Sequence, residues 1–270
     1  MLAFLQTINQ AVVSAYASFA SYVNSDYFQT ISTTYGMYGV GLILSFYMLF
    51  VYFAKTIMGS RDKIEVKLLS QVYNCVQIVS NVFIVKCCID LMLGRPTLLE
   101  SFLIGVPSDS NTIAIFWMYA FNKLVDLIDT IFIVLKKDFR RLSTLHVSHH
   151  FLITLNIFMY ACVIPRTLFS ATAIFVPFIN SGVHVFMYSY YLLSSIFDSV
   201  KEHKLMITNI QMTQFVCVFI HACVCLAYDT TYYIFPLVEC LWAMYMLYMF
   251  GKFYLSQLKR SRVDKMSKEE

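Results

Sequence analysis

Three imidazoles fall within five residues, His146-Val-Ser-His149-His150, in a chain that has only six histidines. Spacing of i, i+3 and i+4 puts all three on one face of a helix. An imidazole can act as nucleophile, general base or metal ligand, depending on which neighbour holds its proton. The box adjoins an apolar stretch long enough to cross a membrane, where ionisable side chains are costly and mark functional sites. Other polar groups recur at helical spacing. Lys123, Asp126, Asp129 and Thr130 punctuate one apolar run, and Ser70, Asn74, Gln77 and Asn81 stripe another. Asn180, His184, Tyr188 and Tyr191 follow, and then Thr208, Gln211 and Gln214.

The elements that carry these residues must be membrane helices. Of 270 residues 59% are hydrophobic and 13% charged, with a mean hydropathy of +0.66; a soluble domain carries about a quarter charged residues. The expected fold is therefore all-α and polytopic. About 20 apolar residues make a span, and candidates lie near 36–58, 66–92, 112–135, 145–164, 168–197, 206–227 and 231–255. Pro177 would kink the fifth. This predicts a lumenal N-terminal segment over 1–34, a seven-helix domain over 35–256 and a basic cytosolic tail over 257–270.

Charge fixes the count. Sixteen of the twenty Lys and Arg residues fall on one side if there are seven spans, leaving Lys86, Arg95, Lys123 and Arg166 elsewhere. The positive-inside rule then predicts a lumenal N-terminus and a cytosolic C-terminus. Splitting the fifth segment would send Lys201, Lys204 and the basic tail to the wrong side. The first 25 residues lack Lys and Arg, so no cleaved signal peptide is expected. The eight cysteines lie in apolar runs without metal-finger spacing and read as buried hydrophobes.

With sidedness set, helical rise gauges depth. Asp129 lies seven residues before Lys136, roughly 10 Å inward at about 1.5 Å per residue, and the histidine box lies at a comparable depth on the return. Taken singly, each polar stripe is interhelical hydrogen-bonding. Five at similar depth predict a polar chamber open to the cytosol, with an apolar interior beyond it. That combination suits a substrate with a charged head and a long hydrocarbon tail.

The motifs then fit a family. His146 to His150 resembles the HxxHH box of the ELO fatty acid elongases. Lys123 to Thr130 resembles their KxxExxDT, with Asp126 where Glu is usual. His184 to Tyr191 matches HxxMYxYY, and Thr208 to Gln214 matches TxxQxxQ. The resemblance implies that a fatty acyl-CoA and malonyl-CoA condense to a 3-ketoacyl-CoA, releasing carbon dioxide and CoA. It implies six helices around an acyl-chain tunnel with the first helix outside, no metal or redox cofactor, and work in the endoplasmic reticulum membrane. The expected partners are the ketoacyl-CoA reductase, dehydratase and enoyl reductase of the cycle. A homo-oligomer is compatible with the sequence, and no nucleic acid is expected.

On this reading His149 attacks the thioester to form an acyl-imidazole, or serves as general base without a covalent intermediate. His146 and His150 would relay protons, assisted by Asp126 and Asp129, while His184 and Tyr188 would stabilise an oxyanion or enolate. Lys123 would pair with Asp126. Asn180, Tyr188, Tyr191, Gln211 and Gln214 would line the substrate path. Lys136, Lys137, Arg140, Arg141, Lys201 and Lys204 would meet CoA phosphates, or only fix topology and touch anionic lipid. Two other readings compete. A di-iron desaturase also uses HxxHH, but it needs about eight histidines; beyond the box only His184, His203 and His221 remain. A seven-helix receptor shares the topology but has no need of the box.

Overall fold

The computed structural model describes residues 2–94, 110–163, 172–228 and 234–269, with side chains for 6–94, 110–162, 174–227 and 234–259. Arg95 and Arg166 lie outside the described residues, as do the side chains of Arg260, Arg262, Lys265 and Lys268. Among the described residues every regular element is helical. The elements are α1 (Leu2–Val23), α2 (Asp26–Gly59), α3 (Lys67–Leu93), α4 (Ser110–Asp126), α5 (Ile128–Leu135), α6 (Thr144–Val163) and α7 (Thr172–Ser194). A 3₁₀ turn (Asp198–His203) leads into α8 (Lys204–Tyr228), and α9 (Ile234–Glu269) completes the chain. Among the described residues four stretches are long and apolar enough to cross a membrane: Asp26–Gly59, Lys67–Leu93, Asp198–Ala227 and Ile234–Lys259. The protein is a helical membrane protein.

Local chemistry sets several boundaries. Ser25 caps α2, its hydroxyl accepting from the backbone N–H of Phe28, and Asp26 occupies the first turn, where a negative charge suits the helix dipole. Pro177 lies inside α7. The third apolar run is two helices rather than one, because α4 stops at Asp126 and α5 starts at Ile128. At this break the backbone bonds tighten to i→i+3, Leu127 to Leu124 and Thr130 to Leu127.

The helix ends sort into two sets. Lys137, after α5, donates to the carbonyl of Arg61, after α2, at 2.6 Å. Lys136 reaches Ser70 in the first turn of α3, Gln71 reaches Ser195 after α7, and Lys204 at the start of α8 reaches Gln257 in α9. The basic connections therefore converge on one end of the bundle. At the other end Asn24, between α1 and α2, donates to the carbonyl of Ser110 at the start of α4.

The N-terminal segment contains α1 and the opening of α2. Val23 is fully buried, and Phe19 and Tyr16 meet Phe121 and Phe83 edge-on. Helix α2 buries Val40, Leu44, Tyr47, Ala54 and Met58 along α5 and α6 and exposes Tyr35, Tyr38, Phe46 and Tyr52. Such a wide exposed apolar face suits lipid. The most extensive packing joins α3 to α7 and α8 to α9, while α4 touches α1, α3, α6 and α7. This central position makes α4 the element that gathers the site.

Candidate active site

The break after Asp126 organises the centre. It leaves the carbonyl of Val125 within reach of the Tyr73 hydroxyl at 3.3 Å, so an interrupted helical bond is replaced from α3. The break also splays two carboxylates about one phenol. Tyr188 on α7 lies 2.9 Å from Oδ1 of Asp126 and 2.7 Å from Oδ2 of Asp129. One phenolic proton serves only one of these contacts, so the other requires a proton carried by a carboxyl. Gln77 donates to Asp126 and to Tyr73, which lies 3.3 Å from Tyr188. The hydroxyl expected to face an oxyanion is thus engaged by the two carboxylates.

Asp126 has further partners. Lys123 Nζ donates to its Oδ2 at 2.7 Å, and Nδ1 of His184 lies 3.6 Å from the same oxygen and 3.4 Å from Nζ. The Lys123 ammonium also lies 5.0 Å from the Tyr119 ring centre. A buried cation held by one carboxylate and one aromatic face is compensated rather than isolated. The expected Lys123–Asp126 pairing is present, and it extends to His184.

The histidine box opens α6. Ser143 accepts from the backbone N–H of His146 at 3.2 Å, capping the helix and setting the box in its first two turns. The His146 and His150 ring centres are 4.4 Å apart, and those of His149 and His150 are 5.5 Å apart. The ring of His149 stacks on Trp242 of α9 at 6.1 Å and 21°. From the third apolar run the residue bonded to the box is Thr130: its Oγ1 lies 2.8 Å from Nε2 of His146. Nδ1 of His149 and Nδ1 of His150 are buried and have no protein partner. Buried imidazole nitrogens left open are unusual, and a bound reactant would satisfy them.

The remaining residues fall into place around this centre. Asn180 accepts from the Tyr119 hydroxyl at 2.9 Å, and Tyr191 packs against Tyr188. Gln211 donates to Sδ of Met187, and Gln214 is buried. At the basic end Arg141 pairs with Asp138, Lys201 pairs with Asp198, and Arg140 is exposed. Burial, reinforced by Arg141, pushes the Lys136 ammonium below its ordinary pKa. His203 is exposed, and His221 stacks on Phe175 at 4.0 Å. Among the described residues no three His, Cys, Asp or Glu side chains are grouped to hold a metal ion.

Several contributors carry no motif signal: Tyr47, Trp242, and the pair in which Asn156 donates to the buried Glu239 at 3.3 Å. Glu239 alone was visible as a carboxylate within an apolar span.

Comparison with known proteins bears on this centre. Residues 33–266 match the family described as ELO: GNS1/SUR4. The Drosophila melanogaster protein named very long chain fatty acid elongase F is 30% identical over 195 residues, covering 70% of this chain and 75% of its own. Fatty acid elongase 4 of Trypanosoma brucei brucei is 31% identical over 213 residues, 78% of this chain and 80% of that one. Human very long chain fatty acid elongase 4 is 27% identical over 241 residues, 84% and 73% respectively.

Proposed function

The chain belongs to the ELO: GNS1/SUR4 family, and from that premise we propose that it is a membrane enzyme of fatty acid elongation that condenses a long-chain fatty acyl-CoA with malonyl-CoA. The observation that carries the reading is the buried, unpartnered Nδ1 of His149 beside the hydrogen-bonded His146. A neutral imidazole with an open nitrogen is a nucleophile awaiting an electrophile.

In the proposed sequence the His149 lone pair attacks the thioester carbon. The C–S bond breaks, and CoA leaves as a thiolate that takes up a proton. Malonyl-CoA then loses carbon dioxide, and the electrons of that C–C bond form an enolate. The enolate carbon attacks the acyl-imidazole and breaks its C–N bond, giving the 3-ketoacyl-CoA, and the departing His149 nitrogen takes up one proton to regenerate the neutral imidazole. Lys123, held by Asp126 beside His184, supplies positive charge for the enolate stage. Tyr188 holds the carboxylates in place rather than touching the oxyanion. No metal or redox cofactor enters this scheme.

Seven spans, with α4 and α5 forming one of them, agree with the convergence of the basic connections at a single end. The proposed setting is the endoplasmic reticulum membrane, N-terminus lumenal and C-terminus cytosolic. The box then lies near the side from which CoA arrives, and an acyl tunnel runs between the helices behind it. The reductases and dehydratase of the cycle are the proposed partners.

Purified protein incubated with acyl-CoA alone should release free CoA in one burst and carry a hydroxylamine-labile acyl group. Carbon dioxide should then be released from labelled malonyl-CoA. No CoA before malonyl-CoA is added would sink the covalent step in favour of general-base catalysis, and no carbon dioxide at all would sink condensation.

A further inference from the structure

We propose that Tyr47 and Thr130 form a positioning relay that holds His146 in a single neutral tautomer, so that α2 contributes to the histidine box. Its catalytic consequence rests on the condensation reading; its geometry does not. The Tyr47 hydroxyl lies 3.2 Å from Thr130 Oγ1, which lies 2.8 Å from Nε2 of His146. Tyr47 is 6% exposed and Thr130 0%, so water does not compete for these bonds. Each hydroxyl has one proton to give. A phenol is the stronger acid and an aliphatic hydroxyl oxygen the better acceptor, so donation runs from Tyr47 to Thr130 and from Thr130 to Nε2. Nε2 is then an acceptor, and the imidazole proton resides on Nδ1. The hydrogen bond at one ring nitrogen decides the tautomer at the other.

Tyr47 belongs to none of the four motifs, and its neighbours on the buried face of α2 are apolar: Val40, Leu44 and Ala54. A phenylalanine would fill the same space, so packing does not account for the hydroxyl. The relay also holds the His146 ring at 4.4 Å from His150, next in line to His149. An imidazole whose tautomer drifted would present an acceptor at Nδ1, where the relay keeps a donor.

Two measurements test the relay. In ¹⁵N-histidine-labelled protein, with His146→Gln used to assign the resonance, wild type should show the Nδ1–H tautomer at His146. Tyr47→Phe and Thr130→Val should mix in the Nε2–H form, and Thr130→Ser should restore the original. In turnover, Tyr47→Phe should lower kcat about 3- to 10-fold and Thr130→Val about 10- to 100-fold, the range for groups that orient a working imidazole. KM for acyl-CoA should hold within about twofold, and Thr130→Ser should stay within about threefold of wild type, as expected of groups that orient the imidazole without contacting substrate. Tyr52→Phe, a lipid-facing control on the same helix, should match wild type. An unchanged His146 tautomer in Tyr47→Phe and Thr130→Val overturns the relay, and a shifted tautomer with unchanged kcat overturns its positioning role. A wild-type protein without malonyl-CoA-dependent turnover refutes the condensation reading instead, while the tautomer measurement still decides the relay.

Discussion

Lys123 and Asp126, one turn apart on α4, form a 2.7 Å ion pair whose side chains are 1% and 2% exposed. Two charges removed from water stabilise one another only as a pair, and removing one leaves the other buried and uncompensated. Lys123→Met or Asp126→Asn should each destabilise the protein by about 3–5 kcal/mol. The double variant should lose clearly less than the sum, because no lone charge remains. Thermal unfolding in detergent, arranged as a double-mutant cycle, measures this. Additive losses would show that the two residues act independently.

Asp126 stands at the Glu position of the KxxExxDT pattern that Lys123 to Thr130 resembles. The shorter arm is already saturated by Lys123, Gln77, Tyr188 and His184. Asp126→Glu adds a methylene to a filled site and should cost about 1–3 kcal/mol while leaving some activity, since the charge is kept. Full wild-type stability would mean that the surroundings adjust freely.

The Tyr188 hydroxyl contacts the carboxyls of both Asp126 and Asp129. Tyr188→Phe removes bonds to charged groups worth about 1.5–3 kcal/mol each before compensation. A loss of about 2–3 kcal/mol is expected, within that range. Because the second contact needs a carboxyl proton, the loss should be greatest at a pH where one of the two carboxyls keeps its proton, and should shrink as pH rises and both ionise. Unfolding curves across pH check both the size and the sign.

Trp242 stacks on the His149 ring from α9. Trp242→Ala should lower kcat about tenfold, equivalent to about 1.4 kcal/mol and comparable to a stacked aromatic pair. Trp242→Phe should recover most of the loss. Steady-state kinetics reports it; equal rates for both variants would remove Trp242 from the site.

A Cβ at Gly36 would sit 2.6 Å from Sγ of Cys162, so α2 and α6 approach closely there. Gly36→Ala should destabilise by about 1–3 kcal/mol through overpacking. Adding Cys162→Ala should restore much of that loss by removing the opposing sulfur. Melting temperatures of the two variants decide whether this contact sets the spacing of the helices.

Composition and periodicity were enough to identify a helical membrane protein and its chemistry-bearing helix faces. Those properties are local: a helix carries residues i, i+3 and i+4 together whatever surrounds it, and apolar length alone selects the solvent. The four motifs are of the same kind, which is why His146, His149, His150, Asp126 and His184 were all legible in advance. Which of them touch was not. Helix rotation and relative sliding are set by packing between distant segments, and no local pattern encodes them. Packing turned Thr130 rather than a carboxylate toward His146, brought Tyr47 and Trp242 to the box from α2 and α9, and tied Tyr188 between Asp126 and Asp129. The break at Leu127 is likewise tertiary. No glycine or proline marks it, and the carbonyl it exposes is met by a tyrosine more than fifty residues away in the chain. Apolar composition and helical spacing, being local, made the membrane class and the polar faces readable from the chain; only packing between distant helices left the Nδ1 of His149 open and set Thr130 against His146.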